Sequence, residues 1–482
     1  MLLKQLAKDS SIYGGADFLT KMLAFFAFPF IAAQLSPKAF GVLEIIITVT
    51  ALLGLVVNCG LNNAVQRFYW DKETTPAIQP VIVTSGLCVQ LGIGIFAVLL
   101  GVAAIPFVLP LMQANGWPLT WVALVSAFLV MTLTQWNQYA LDVVRLHFAP
   151  WRFFGLALTS RSVSMGMGLI TVVVLGMGID GLLAAQAVVL ALVLPVALWL
   201  IRKDFRPGCL QKRWIKELVR FGHPFIYSGL AYWLFGSMDR WMLASMTSVD
   251  EVGIYSVAFR FASLVLLVSA AFGQAWSPVA IKIRTDHPDK YRTIYGQVLL
   301  LLFFVMLVVG GGVALFSGEF FGLVMPTEYL PSALPLSILC FGIVLQATQQ
   351  VTAVGISLEK KTHLFARLTW FAAFVNFGLN YWLIPLCGAV GAAIATFGAY
   401  LVLTTSFLIS TQKLHPLALH WRKLSVLVIL GCCVGTVAIL WNTHEWSWAK
   451  VAAKLALCMG CLGVVWLFDV ACVKSNSVRF AK

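Results

Sequence analysis

Seven charged side chains stand out within long apolar runs of this sequence: Asp17, Lys21, Asp142, Arg161, Asp239, Arg240 and Arg260. A charge at the centre of a hydrocarbon layer costs about 2.5–3.5 kcal/mol on insertion scales, so each one asks for a reason. Asp17 and Lys21 are four residues apart, on one helical face with Tyr13. Their acid-first order also allows them simply to neutralise each other. Asp239 and Arg240 are adjacent, which aims them at different faces and predicts poor pairing between them. Arg260 has no acid nearby in sequence, so it must face a cavity or meet a partner from another helix. Cations outnumber their near acids, and that favours an anionic ligand held by Lys21, Arg161, Arg240 and Arg260. Asp17, Asp142 and Asp239 are the candidates for a coupling cation, H+ or Na+.

Amides accompany the charges: Asn58, Asn62 and Asn63, then Gln135, Asn137 and Gln138, then Gln349 and Gln350, then Asn376 and Asn380. Each alone reads as interhelical hydrogen bonding, while together they would line a polar route. Other chemistries find no support. The chain has no G-x-x-x-x-G-K-[ST] phosphate loop and no H-E-x-x-H zinc motif. All seven histidines fall in loops or near the ends of apolar runs, against a buried histidine proton relay. Cys458 and Cys461 form a C-x-x-C pair without flanking ligands, which reads as small-residue helix packing. No resident cofactor or metal is expected, and the chain is read as a non-enzyme.

The elements that position these residues are membrane helices. Of 482 residues, 60% are hydrophobic and 11% charged, and mean hydropathy is +0.91. A soluble chain is roughly 45–50% apolar and about 25% charged. Stretches of about 20 apolar residues suffice to cross a bilayer. Fourteen are found, near 10–33, 42–65, 80–111, 118–144, 153–176, 180–201, 219–243, 251–280, 294–316, 331–357, 364–385, 388–410, 423–441 and 449–472. No cleavable leader is expected, because the first run is too long and carries Asp17 and Lys21. The net charge of +14 is a matter of sidedness, not of nucleic acid. Twenty-six of the 33 lysines and arginines fall in even-numbered loops and the tails. Three (Lys38, Lys450 and Lys454) fall on the other side, with the acids Asp180, Asp250, Glu251, Glu319 and Glu328. Lysine and arginine mark the cytoplasmic face, so both termini are expected there.

The halves resemble each other. Ile12-Tyr13-Gly14-Gly15 parallels Ile226-Tyr227-Ser228-Gly229, and Gly41 parallels Gly253. The stretch 178–185 parallels 388–395. Offsets of 214, 212 and 210 span six helices, an even number, so the repeats keep one orientation. The expected layout is an all-α polytopic membrane protein. It has a six-helix lobe at 1–201, a cytoplasmic linker at 202–218, a second six-helix lobe at 219–410, and helices thirteen and fourteen with a tail at 411–482.

Several stretches resemble a known family. Ser237-Met238-Asp239-Arg240-Trp241-Met242-Leu243, followed by Val252-Gly253-Ile254-Tyr255-Ser256-Val257-Ala258, is similar to the Asp-Arg…Val-Gly-Ile-Tyr-Ser signature of polysaccharide-transport proteins. So are Ser11-Ile12-Tyr13-Gly14, Leu35-Ser36…Phe40-Gly41-Val42, Gly60-Leu61, Arg67-Phe68-Tyr69 and Ala275-Trp276…Pro278…Lys282. They resemble bacterial O-antigen-type flippases of the multidrug/oligosaccharidyl-lipid/polysaccharide exporter superfamily. The resemblance implies a V-shaped two-lobe fold in the bacterial inner membrane. It implies flipping of undecaprenyl-pyrophosphate-linked oligosaccharide from the cytoplasmic to the periplasmic leaflet. It also implies membrane lipids, a polysaccharide polymerase and a chain-length regulator as partners. The alternative on the same fold is a cation-coupled multidrug extruder, which needs an acidic or aromatic cavity. A non-transporting membrane scaffold is a third reading, and it would tolerate neutralising all seven intramembrane charges.

Overall fold

A computed structural model describes residues 2–71, 74–206, 208, 210–358, 362–442 and 446–467. Lys72, Cys209, Lys360, Lys361, His444, Lys474, Arg479 and Lys482 lie outside the described residues, as does 468–472 of the fourteenth apolar run. The side chains of Ile12, Tyr13, Asp17 and Pro278 lie outside them too.

Every regular element among the described residues is helical. In chain order they are α1 (Leu2–Ala32), α2 (Pro37–Asn58), α3 (Leu61–Tyr69), α4 (Gln79–Ala114), α5 (Trp121–Leu146), α6 (Pro150–Leu169) and α7 (Gly178–Leu200). Then come α8 (Lys212–Gly222), α9 (Pro224–Met246), α10 (Val249–Asp286), α11 (Tyr291–Leu315), α12 (Ser317–Val324), α13 (Ala333–Ala347), α14 (Gln349–Leu358), α15 (Thr362–Leu414), α16 (Trp421–Leu440) and α17 (Trp448–Leu467). Among the described residues, ten helical stretches are long and apolar enough to cross a membrane. Helices are required there because no water is present in the hydrocarbon layer to satisfy an open backbone.

The chain divides into two compact units, 1–238 and 239–482. In the first, α5 packs most extensively on α7, and α1 packs on α6. Its core joins Leu61, Val65, Ile82, Val83, Tyr139, Val143, Phe153, Ala197 and Leu218. The Tyr139 hydroxyl donates to the Val83 carbonyl at 2.7 Å, which satisfies the one polar atom of a fully buried ring. In the second unit α13 is central, packed on α10, α11 and α15.

The sequence reading places a single span at 42–65. The chain instead turns a corner between α2 and α3, with Cys59 and Gly60 both left-handed (φ 48° and 64°). The Gly222 backbone, at the end of α8, lies against this corner, and a Cβ on Gly60 would overlap the Gly222 carbonyl. Gly60→Ala therefore adds a left-handed penalty of about 1–2 kcal/mol to a backbone clash. It should lower the thermal midpoint of the purified protein by several degrees. An unchanged midpoint would mean that α8 does not dock there.

Two pairs of caps and turns recur between the units. Ser36 caps α2 by accepting from the Ala39 N–H, and Ser248 caps α10 by accepting from the Glu251 N–H. Gly178 and Gly388 are left-handed with nearly equal φ, 55° and 54°. Gly388 breaks α15 internally, and the Glu251 carboxylate accepts from the Ala389 N–H at 2.6 Å.

Candidate functional site

Within the first unit, α1, α5, α6 and α7 line an open cavity of about 350 Å3. Ligand sites commonly run from about 300 to 1,000 Å3. Helical periodicity brings each contributor to it. Thr20, Lys21 and Ala24 share one face of α1; Thr134, Asn137, Gln138 and Leu141 share one of α5; Ser160, Arg161 and Ser164 share one of α6. Gln186 of α7 completes the polar lining. Two of the four expected cations, Lys21 and Arg161, thus meet in one cavity. The Arg161 Nη1 donates to Thr20 Oγ1 at 3.2 Å, so the guanidinium is oriented by α1, the helix that also carries Lys21. Among the described side chains that line the cavity there is no acid.

Asp142 stands one layer behind. Gln138, which lines the cavity, donates through Nε2 to Asp142 Oδ1 at 3.1 Å, and Asn62 donates to Oδ2 at 2.6 Å. Arg145 Nη1 lies 3.8 Å from Oδ1. The buried carboxylate is therefore joined to the cavity through one amide. Asp17 precedes Lys21 by one turn on α1, and its side chain lies outside the described residues.

Asp239 and Arg240 do pair, contrary to the sequence expectation. Arg240 Nη1 lies 3.4 Å from Asp239 Oδ1, and the same oxygen accepts from the Arg240 N–H at 2.8 Å. Adjacent helical residues diverge at Cβ, but the long arginine stem folds back far enough to meet the short carboxylate. Two further members of the cluster, Tyr255 and Ser256, come from the motif itself. Tyr255 donates its hydroxyl to Asp239 Oδ2. Arg240 Nε donates to Ser256 Oγ at 3.2 Å, and its guanidinium lies 4.9 Å above the Phe259 ring. Thr396 of α15 sits 3.2 Å from the Tyr255 hydroxyl. The spacing from Asp-Arg to Tyr-Ser is thus the spacing of partners in one buried network. Tyr255, Ser256 and Thr396 were not among the sequence-selected residues, although the first two were visible inside the motif.

Arg260 lies half-buried in the second unit and does not line the first unit's cavity. It is within electrostatic range of the buried Tyr329 hydroxyl, as are Asp250 and Glu328. Two charges assigned to loops by sequence are in fact buried. Lys454 Nζ, in α17, donates to Glu319 Oε1 and Oε2 at 2.6 and 2.8 Å and to the Leu315 carbonyl at 2.7 Å. Cys458 and Cys461 face a small apolar pocket with Leu307, Gly311 and Val434.

Chemically, the first unit's cavity offers two cations with hydroxyl and amide groups around them. Such a set makes charge-assisted bonds to phosphate oxygens and ordinary ones to sugar hydroxyls. The chain is 23% identical over 431 residues to the "Probable low-salt glycan biosynthesis flippase Agl15" of Haloferax volcanii, covering 86% of each chain. It is 26% identical over 261 residues to the "Succinoglycan biosynthesis transport protein ExoT" of Rhizobium meliloti, covering 52% of this chain and 49% of that one. In fold it is similar to the lipid II flippase MurJ in an inward closed conformation, with TM-score 0.74 and 14% identity over 95% of this chain and 99% of that one. An inward-facing multidrug resistance MATE family transporter follows, with TM-score 0.64 and 16% identity over 82% and 95%. Residues 224–382 match the MatE family. Residues 6–284, more than half of the chain and including the cavity and the Asp239–Arg240 pair, match the family described as "Polysaccharide biosynthesis protein", and the chain belongs to that family.

Proposed function

We propose that the protein is a flippase for a lipid-linked glycan, an undecaprenyl-pyrophosphate oligosaccharide of O-antigen or related surface-polysaccharide type. It carries the headgroup from the cytoplasmic to the periplasmic leaflet of a bacterial inner membrane by alternating access. The observation that carries this reading is the cavity where Lys21 and Arg161 meet among amides and hydroxyls. A glycan cannot cross lipid unaided, since each sugar hydroxyl buried without a partner costs roughly 2–7 kcal/mol. The cations take the diphosphate, the amides and hydroxyls take the sugars, and the polyprenyl tail stays in lipid.

The fourteen-span assignment fits this reading. α15 has 53 residues, about 80 Å at 1.5 Å per residue, against a hydrocarbon core of about 30 Å. Its break at Gly388 makes it two spans. With α5 and α9, which are more polar, and α1, whose apolar described stretch Phe18–Ala32 is short, the ten stretches become fourteen. The paired serine caps and glycine turns support two six-helix repeats, followed by two further helices. Within the first unit, Arg67, Arg145, Arg152, Arg202 and the α8 cations share one end and Lys38 holds the other, which supports cytoplasmic termini.

Asp142 and Asp17 are assigned to coupling by H+ or Na+. A membrane potential adds about 2.3 kcal/mol per charge per 100 mV. Arg260 is assigned to a second headgroup contact. Asp239 and Arg240 neutralise each other, so we assign them to holding α9, α10 and α15 together. Proteoliposomes loaded with a labelled undecaprenyl-diphosphate oligosaccharide test the reading. Protein-dependent exposure to an impermeant sugar-modifying reagent, sensitive to a pH or sodium gradient, is expected. Extrusion of a cationic dye without exposure of any of several glycans would select the drug-extruder alternative.

A further inference from the structure

The second part of the stretch expected as a linker at 202–218 is helical: the amphipathic α8 starts at Lys212 and is followed directly by α9. Its apolar side is committed to the first unit. Leu218 is fully buried, and Trp214 and Phe221 meet the Phe68 ring edge-on at 5.8 and 5.4 Å. The opposite side carries Lys212, Lys216 and Arg220. Residues four apart stack on one stripe, so these three exposed cations form a single line. Glu217, the acid of α8, is engaged by Arg213 at 3.0 Å and does not neutralise the line.

The surroundings extend this surface. Arg202 lies 4.4 Å above the ring of exposed Trp199, and Lys203 and Arg206 are exposed. Asp204 between them is buried and is already held by His147 at 2.6 Å and the Tyr69 hydroxyl at 3.2 Å. At the same end of the unit Trp70, Phe148 and Trp151 are 57–70% exposed. Phe148 adopts φ 50°, a conformation a bulky side chain rarely takes, and its ring stands 6.0 Å from that of Trp70. Exposed aromatics beside a line of cations at one end of membrane helices match the chemistry of lipid headgroups: apolar rings at the acyl boundary, cations at the phosphates.

We propose that the outer face of α8, with Lys212, Lys216 and Arg220 at its centre, is a binding surface for anionic phospholipid headgroups. Phosphatidylglycerol-type lipids have the required phosphodiester charge. The surface is separate from the cavity of Lys21 and Arg161 and does not depend on what that cavity carries.

The test uses the full-length protein in phosphatidylcholine nanodiscs doped with spin-labelled phosphatidylglycerol or phosphatidylcholine. The wild type should immobilise the phosphatidylglycerol probe in preference to phosphatidylcholine. K212Q/K216Q/R220Q should lose at least about fivefold of that preference, the weight of one cation at an anionic surface. K282Q/K290Q/K413Q, three exposed lysines elsewhere, should leave it unchanged. The single K216Q should show a partial loss, which guards against misfolding of the triple variant. The proposal is overturned if the α8 triple keeps the full preference or if both triples lose it equally. It is also overturned if added polyprenyl diphosphate, and not phosphatidylglycerol, displaces the probe, because the face would then belong to the transported lipid.

Discussion

Arg161→Ala should cut glycan exposure in proteoliposomes by about ten- to a hundredfold, and Lys21→Ala by a comparable factor. A hydrogen bond to a charged group is worth about 1.5–3 kcal/mol, and 1.4 kcal/mol is a factor of ten. Both side chains line one cavity whose described lining holds no third cation, so the loss of either leaves a single positive group there. Arg161→Lys should retain more activity than Arg161→Gln, because charge matters first and the planar fork second. Thr20→Val separates orientation from charge: it removes the hydroxyl that accepts from Arg161 Nη1 at 3.2 Å and leaves both cations in place. A smaller loss is expected, visible as weaker substrate dependence more than as a lower limiting rate. Thermal stability should barely move in these variants. Full exposure in the Lys21→Ala/Arg161→Ala double variant would remove this cavity from the transport route.

Lys454→Met should destabilise the second unit by about 3–5 kcal/mol, the usual result of leaving one partner of a buried pair without the other. The ammonium has three protons and three acceptors here: both Glu319 oxygens and the Leu315 carbonyl. Lys454 and Glu319 are both essentially inaccessible to solvent. The pair attaches α17 to α12, beside the network in which Asn442 Nδ2 donates to Ser317 and Ser337. Glu319→Leu should be damaging as well. The double variant Glu319→Leu/Lys454→Met should be more stable than either single one, because it leaves no uncompensated charge. Thermal aggregation of the purified protein in detergent measures all four states. Additive losses in the double variant would show that the two side chains do not depend on each other.

Most helix positions were legible because only helices and closed barrels satisfy a spanning backbone, and long apolar runs without strand alternation select the helix. Apolar runs at 80–111, 294–316 and 423–441 correspond to Gln79–Ala114, Tyr291–Leu315 and Trp421–Leu440. The misses have definite causes. The run at 42–65 hides the Cys59–Gly60 corner, since apolar residues continue through a turn that is made by φ alone. α8 was taken for a linker because its eleven residues are rich in charge, and only its packing on Phe68 shows which side is apolar. Glu319 and Lys454 were placed in loops, because charge near a run's end normally snorkels to water, and nothing local announces a partner 135 residues away.

Sequence by itself determined that this is a helical membrane protein with charged side chains inside its apolar runs, and it singled out the stretches that mark the polysaccharide biosynthesis family. Composition and spacing suffice for that, because burial in lipid and signature residues are properties of the chain read in order. Tertiary structure alone decided which charges stand together. It gathered Lys21 and Arg161 into one cavity, locked Arg240 onto Asp239 with Tyr255 and Ser256, left Arg260 outside that cavity, and buried Lys454 against Glu319. The physical reason is that a charge's partner is set by which helices pack, and by the reach of its side chain, neither of which is written in its sequence neighbours.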